Sequence, residues 1–214
     1  MSQASAPARP LSARAAATRA RILSAALAEF TAKGLAGARV DEIAERGGIN
    51  KRMIYAHFGS KDELWLTILE EAYTAKRDEE NLVDVAELSP QEAVARLVAF
   101  NLRYTAAHPN FVALLNQENL HRAAYLNRSE RVKALYTPLL SRIKDVLARG
   151  AAEGVFRRDV DPMQLYVTMV ALGHFYVANH HTLSNIFGTG LMEAEALARR
   201  ERHCIDVVLG YLRP

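Results

Sequence analysis

The chain has a single cysteine, Cys204. One cysteine cannot cross-link its own chain, which excludes a disulfide scaffold and points to a reducing compartment. Glycine and proline are sparse, 11 and 7 among 214 residues, a composition that favours helix over sheet. No apolar–polar alternation runs long enough for a sheet. The most apolar region, Leu165 to Ala178, is interrupted by Thr168, Gly173 and His174 and is shorter than the ~20 residues a membrane span needs. Residues 1–13 are rich in Ala, Ser, Pro and Arg with no apolar stretch behind the charges, unlike a secretory signal, so the expected location is the cytoplasm. There is no glycine-rich phosphate loop, no nucleophile elbow and no metal cluster of good spacing. No enzyme is therefore expected, and no cofactor or metal.

What is present is half apolar and about a quarter charged, enough for a packed core and too little charge for wholesale disorder. The net charge of +3 is unevenly spread: residues 9–61 hold ten Lys/Arg against four Asp/Glu. A basic first quarter on a mildly acidic remainder suits a polyanion partner for the first part alone. Apolar spacing predicts an all-α chain. A flexible basic tail, 1–13, precedes a helix over about 15–33 stopped by Gly34. Short helices follow over about 40–46 and 50–57, separated by Gly47-Gly48, and then a long helix capped by Ser60. Further helices are expected to open at Ser89-Pro90, near Pro109 and at Ser129. A single helix is expected from Asp161-Pro162 to about Phe187, and a last one over about 191–212.

Residues 39–58 read as helix, tight glycine turn, helix: the helix-turn-helix unit, whose second helix enters the DNA major groove. Val40, Ile43, Ala44, Ile49, Ile54 and Phe58 point inward. With Ile54 inward, about 100° per residue places Arg52 and Ala56 nearest the opposite face. Arg52 is the candidate for reading guanine through its two-pronged geometry. Lys51, Tyr55 and His57 flank it as phosphate contacts, and Lys61 lies where free helix N–H groups also favour phosphate. Asn50 suits the cap of the recognition helix.

Residues 16–76 resemble the DNA-binding domain of the TetR family of bacterial regulators. The resemblance lies in Ile22-Leu23, Phe30, Gly34, Ile43-Ala44, Gly48-Ile49-Asn50-Lys51, Ile54-Tyr55, His57-Phe58 and Ser60-Lys61-Asp62-Glu63-Leu64. It implies backbone contacts at Lys51, Tyr55, His57 and Lys61 and base reading around Arg52, with Asn50, Met53 and Arg39 completing the candidate DNA-binding set. Arg39 stands where the family usually has a capping Thr or Ser, and Met53 where Thr is frequent. The domains implied are a DNA-binding head over 14–76 and a ligand-binding and dimerisation body over 77–214. The partners implied are a palindromic double-stranded operator, a small-molecule effector, and a second copy joined through the last two long helices. Those helices carry apolar faces at Leu165, Met169, Leu172 and Tyr176 and at Leu197, Cys204, Val208 and Leu212.

In the body, Glu118 and Asn119 continue the apolar stripe of Phe111, Leu114 and Leu115. Buried polar groups need partners, so Glu118 serves either a structural pairing or a pocket. His174 follows Tyr166 and Val170 on one stripe, as a core histidine or a ligand contact. His174 and His181 are roughly 10 Å apart by helical rise, too far to chelate one ion. The candidate effector pocket is Phe100, Tyr104, Glu118, Asn119, Arg122, Tyr125, His174, Phe175 and Asn179, suited to a small aromatic or carboxylate-bearing molecule. The function expected is a repressor released from its operator by that molecule. The alternatives are a helical interaction or scaffold protein and an enzyme using the body pocket.

Overall fold

A computed structural model describes residues 12–214, and it is all-α. Ten α-helices run in order among the described residues: α1 (Ala13–Gly37), α2 (Val40–Gly47), α3 (Lys51–Phe58), α4 (Lys61–Asn81), α5 (Pro90–Ala107), α6 (Pro109–Leu120), α7 (Glu130–Ala152), α8 (Pro162–Ala178), α9 (His180–Phe187) and α10 (Ala194–Leu212). A 3-10 turn, Leu126–Arg128, lies between α6 and α7. Most of the expected tail, with Arg9, lies outside the described residues. Ser12 and Ala13 belong to α1 rather than to a tail, because the Ser12 hydroxyl accepts from Ala15 N and caps the helix.

The chain divides into two compact units between Leu69 and Glu70, within α4; the family resemblance implies a boundary near residue 76. In the first unit Ile22, Phe30, Ile43, Ile54 and Trp65 are fully buried. Trp65 meets Phe30 edge-on, with ring centroids 5.2 Å apart. Ile43 on α2 and Ile54 on α3 are positions that helical spacing marks as inward. Gly34, with φ 68°, breaks α1 where the sequence placed its stop.

In the second unit α5 is central, packed by α7, α8 and α10. Val94, Leu97 and Val98 of α5 join Ile143 and Val146 of α7, Leu165 and Met169 of α8, and Cys204, Val208 and Leu212 of α10 in one core. Three of the body helices start on side-chain caps. Ser89 and Glu92 form a reciprocal capping box on α5, Ser129 caps α7, and Asp161 accepts from Met163 N and Gln164 N on α8.

Two expectations need correction. The helix expected over 161–187 is two helices, α8 and α9, parted at Asn179. Asn179 Nδ2 donates to Phe175 O at 2.9 Å, and His180 Nδ1 lies 2.7 Å from Val177 O. Side chains that take up backbone carbonyls at a helix end compete with the helical ladder and let the chain turn. The faces assigned to dimerisation are also largely buried within the body itself: Leu165, Met169, Cys204, Val208 and Leu212 are all 0–2% exposed.

Candidate nucleic-acid interface and effector site

The α2–α3 turn is built locally. Gly48 takes the left-handed conformation, φ 58° and ψ 41°, which an L side chain adopts only at a cost. Its N–H bonds Ala44 O and Glu45 O, closing α2. Arg21 of α1 then ties the turn down, donating to Gly47 O at 2.6 Å and Gly48 O at 2.7 Å. Asn50 Oδ1 accepts from Arg52 N at 2.9 Å, starting α3 on a side-chain cap. Ile54 and Phe58 anchor α3 inward, while Lys51, Arg52, Met53 and Tyr55 are exposed. The geometry is that of a short helix presented on its outer face by a pinned turn.

The candidate DNA-binding residues differ in freedom. Arg52 is exposed on the outer face of α3. Lys51 Nζ lies 2.7 Å from Asp41 Oδ1. That bond raises the lysine above its ordinary value and holds the carboxyl below its own. Arg39 is the cap residue of α2 but makes no side-chain cap, as its chemistry requires. His57 is half-buried, its ring 6.1 Å from that of Phe58. Lys61 is also half-buried and donates to Leu35 O at 2.8 Å and Ala38 O at 3.1 Å. An ammonium there satisfies carbonyls left over at the end of α1. Behind this surface Glu29, 1% exposed, is met by Lys33 at 2.6 Å and Arg46 at 3.4 Å. The Lys33 bond chiefly keeps its carboxyl below the usual range against the cost of burial.

In the body, α6 and α8 border an open cavity of about 630 Å³ lined by Asn116, Asn119, Leu120, Ala171, His174, Phe175, Ala178 and Asn179. Four candidate effector residues therefore meet there: Asn119, His174, Phe175 and Asn179. Tyr104 sits instead in a buried aromatic cluster, stacked on His108 at 3.9 Å and edge-on to Phe111, with the Phe100 ring centroid 5.6 Å away. Glu118 is 2% exposed, and its Oε1 accepts from Tyr125 N and Leu126 N, both at 2.9 Å. It therefore organises the turn after α6, in which Arg122 and Ala123 take left-handed φ of 57° and 56°. Tyr125 meets His121 edge-on at 6.0 Å. A second cavity of about 430 Å³ is lined by Arg142 and Arg149. Both arginines donate to backbone carbonyls of residues 80–88, which is a structural use.

Three polar residues of α4 are buried without having been expected from the sequence: Lys76, Arg77 and Glu80 are 3%, 2% and 1% exposed. They follow Leu69 and Tyr73 at helical spacing, so the stripe logic that singled out Glu118 also applies to them. Among the described residues no group of three or more His, Cys, Asp or Glu could hold a metal ion, and no helix is long and apolar enough to cross a membrane.

Comparisons with known proteins cover both units. Residues 22–68 match the family described as "Bacterial regulatory proteins, tetR family". Residues 90–208 match the "Tetracyclin repressor-like, C-terminal domain". The HTH-type transcriptional repressor NicS of Pseudomonas putida is 34% identical over 196 residues, 92% of this chain and 92% of that one. The HTH-type transcriptional repressor SCO4008 of Streptomyces coelicolor is 32% identical over 75% of this chain and 79% of that one. In fold, the crystal structure of SCO4942, a regulator from Streptomyces coelicolor, superposes with a TM-score of 0.69 at 23% identity, over 92% of this chain and 99% of that one. With a pinned helix-turn-helix in the first unit, a helical body in the second and family matches across both, this chain belongs to the TetR family of bacterial regulators.

Proposed function

We propose that the protein is a transcriptional repressor that binds a palindromic operator as a homodimer and leaves it when a small molecule occupies the body. The carrying observation is α3: Arg52, Met53 and Tyr55 stand exposed on a helix whose Ile54 and Phe58 are buried and whose turn is pinned by Arg21. The relatives named as repressors support the sign of regulation. Arg52 reads bases through its fork. Arg39, Lys51, Tyr55 and His57 contact the phosphate backbone beside it. Lys61 reaches phosphate only with whatever donor capacity its two carbonyl bonds leave.

An effector that binds the body better in a conformation unsuited to the operator lowers DNA occupancy through that difference in affinity. The α6–α8 cavity, with His174 and three neighbours from the candidate set, is the place for it to enter. No catalytic step is assigned to the protein, and its site of action is the DNA of the cytoplasm.

The test is selection of sites from random duplex DNA with the purified protein and with Arg52→Ala. The expected outcome is an enriched palindrome that the variant recognises less sharply at particular bases, each costing about 1–3 kcal/mol of discrimination. Enrichment of no sequence, with binding that only fades as salt rises, would defeat the reading.

A further inference from the structure

Two cations lie side by side in the interior of the body, and the fold treats them differently. Arg77 is compensated: Nη1 bonds the Glu80 carboxylate and Nη2 donates to Tyr166 Oη at 3.0 Å. Glu80 is braced in turn by Asn101 Nδ2 at 3.3 Å. Lys76 is equally buried, yet among the described residues no carboxylate pairs with it. Its Nζ faces the rings of Phe111 and Tyr104, 5.4 and 5.8 Å from their centroids. Ring faces attract a cation but do not replace the hydrogen bonds that water gave it. In the Arg77–Glu80–Asn101 network two buried polar atoms lack partners, Arg77 Nε and Asn101 Oδ1. Burial first, then the Arg77 charge, pushes the ammonium down to about 8, with Glu80 opposing.

His174 of α8 lines the α6–α8 cavity, and its imidazole is lowered by burial and then by the Lys76 charge. A buried ammonium with no carboxylate beside it is costly, and an apolar side chain of similar length would fill the space at lower cost. The charge makes sense if a ligand completes it.

We propose that the effector is a small monocarboxylate whose negative charge is taken by Lys76, with its apolar part against Tyr104 and Phe111. This rests on the effector-responsive reading above and adds the ligand's chemical class. One uncompensated positive charge calls for one negative charge, and flanking aromatic faces call for an apolar body.

The experiment is thermal melting of the full chain, as wild type, Lys76→Met and the neutral, more polar Lys76→Gln. Each is measured alone and with millimolar benzoate, phenylacetate or octanoate, and with the uncharged amide of each acid. The expected result has two parts. Lys76→Met alone melts several degrees above wild type, because an unpaired buried charge is gone. At least one acid raises the wild-type melting temperature by about 5 °C or more near saturation, while its amide does not, and both variants lose the response. The proposal is overturned if acid and amide act alike, if the variants keep the response, if no acid shifts wild type, or if Lys76→Met melts well below it.

Operator binding, followed separately on the selected DNA, keeps the two readings apart. A Lys76-dependent shift without operator release supports the carboxylate site and defeats the effector-release reading. Operator release by an uncharged compound, intact in Lys76→Met, does the reverse.

Discussion

Lys51 and Lys61 both carry positive charge on the candidate DNA surface, but their partners assign them different duties. Lys51 is about half exposed and shares its charge with Asp41 on the surface, an arrangement that contributes little to stability and that a phosphate can displace. Lys61 is half-buried and holds two carbonyls at the end of α1. Removing it leaves both acceptors without that donor, at about 1–2 kcal/mol. Lys51→Met is therefore expected to leave the melting temperature nearly unchanged and to lower the slope of log affinity against log salt by about one. Lys61→Met is expected to lower the urea midpoint. Equal effects of the two variants on stability would show that this division of roles is wrong.

At the scale of elements, the turn after α6 is where the backbone is least comfortable. Arg122 and Ala123 take consecutive left-handed φ values with no glycine to ease them, and Glu118 Oε1 holds the amides just beyond. Glycine at 123 relieves one such residue, so Ala123→Gly is expected to stabilise the body by up to about 1 kcal/mol in urea unfolding. A loss of stability would mean that the alanine methyl packs more usefully than the strain costs. The sequence announced this region only in part. The polar stripe at Glu118 signalled a buried group needing partners, but those partners are amides in a turn with no motif. The helix-turn-helix was far more legible because each of its signals is local: Gly48 at the turn, Asn50 as cap, Ile54 and Phe58 four apart. The α8–α9 break escaped because it depends on which carbonyls the side chains of Asn179 and His180 reach. Lys76 escaped because a lysine on a helix is ordinarily a solvated one, and only tertiary packing shows it enclosed.

For the whole molecule, the question is what covers the apolar surface left by the body. Periodicity marked Leu165, Met169, Cys204 and Val208 as apolar, but α5 and α7 already enclose them within the monomer. Among the apolar residues left in solvent are Met163 and Val167 on α8, 50% and 53% exposed, and Val207 and Tyr211 on α10, 40% and 49% exposed. They stand on two helices that pack together, so a second copy meeting this surface would bury all four. Glutamate at Val167 and Val207 would put charges into such an interface while changing the isolated body by no more than about 0.5 kcal/mol. The doubly substituted protein is expected to sediment as a monomer with a circular dichroism spectrum unchanged in shape. Its operator affinity is expected to fall by about 10²-fold or more, because two half-sites gripped by one linked pair of heads become two independent weak contacts. A variant that stayed dimeric and kept its affinity would place the interface elsewhere on the body. A variant that became monomeric yet bound as tightly would show that one head suffices, and the palindrome would lose its physical basis.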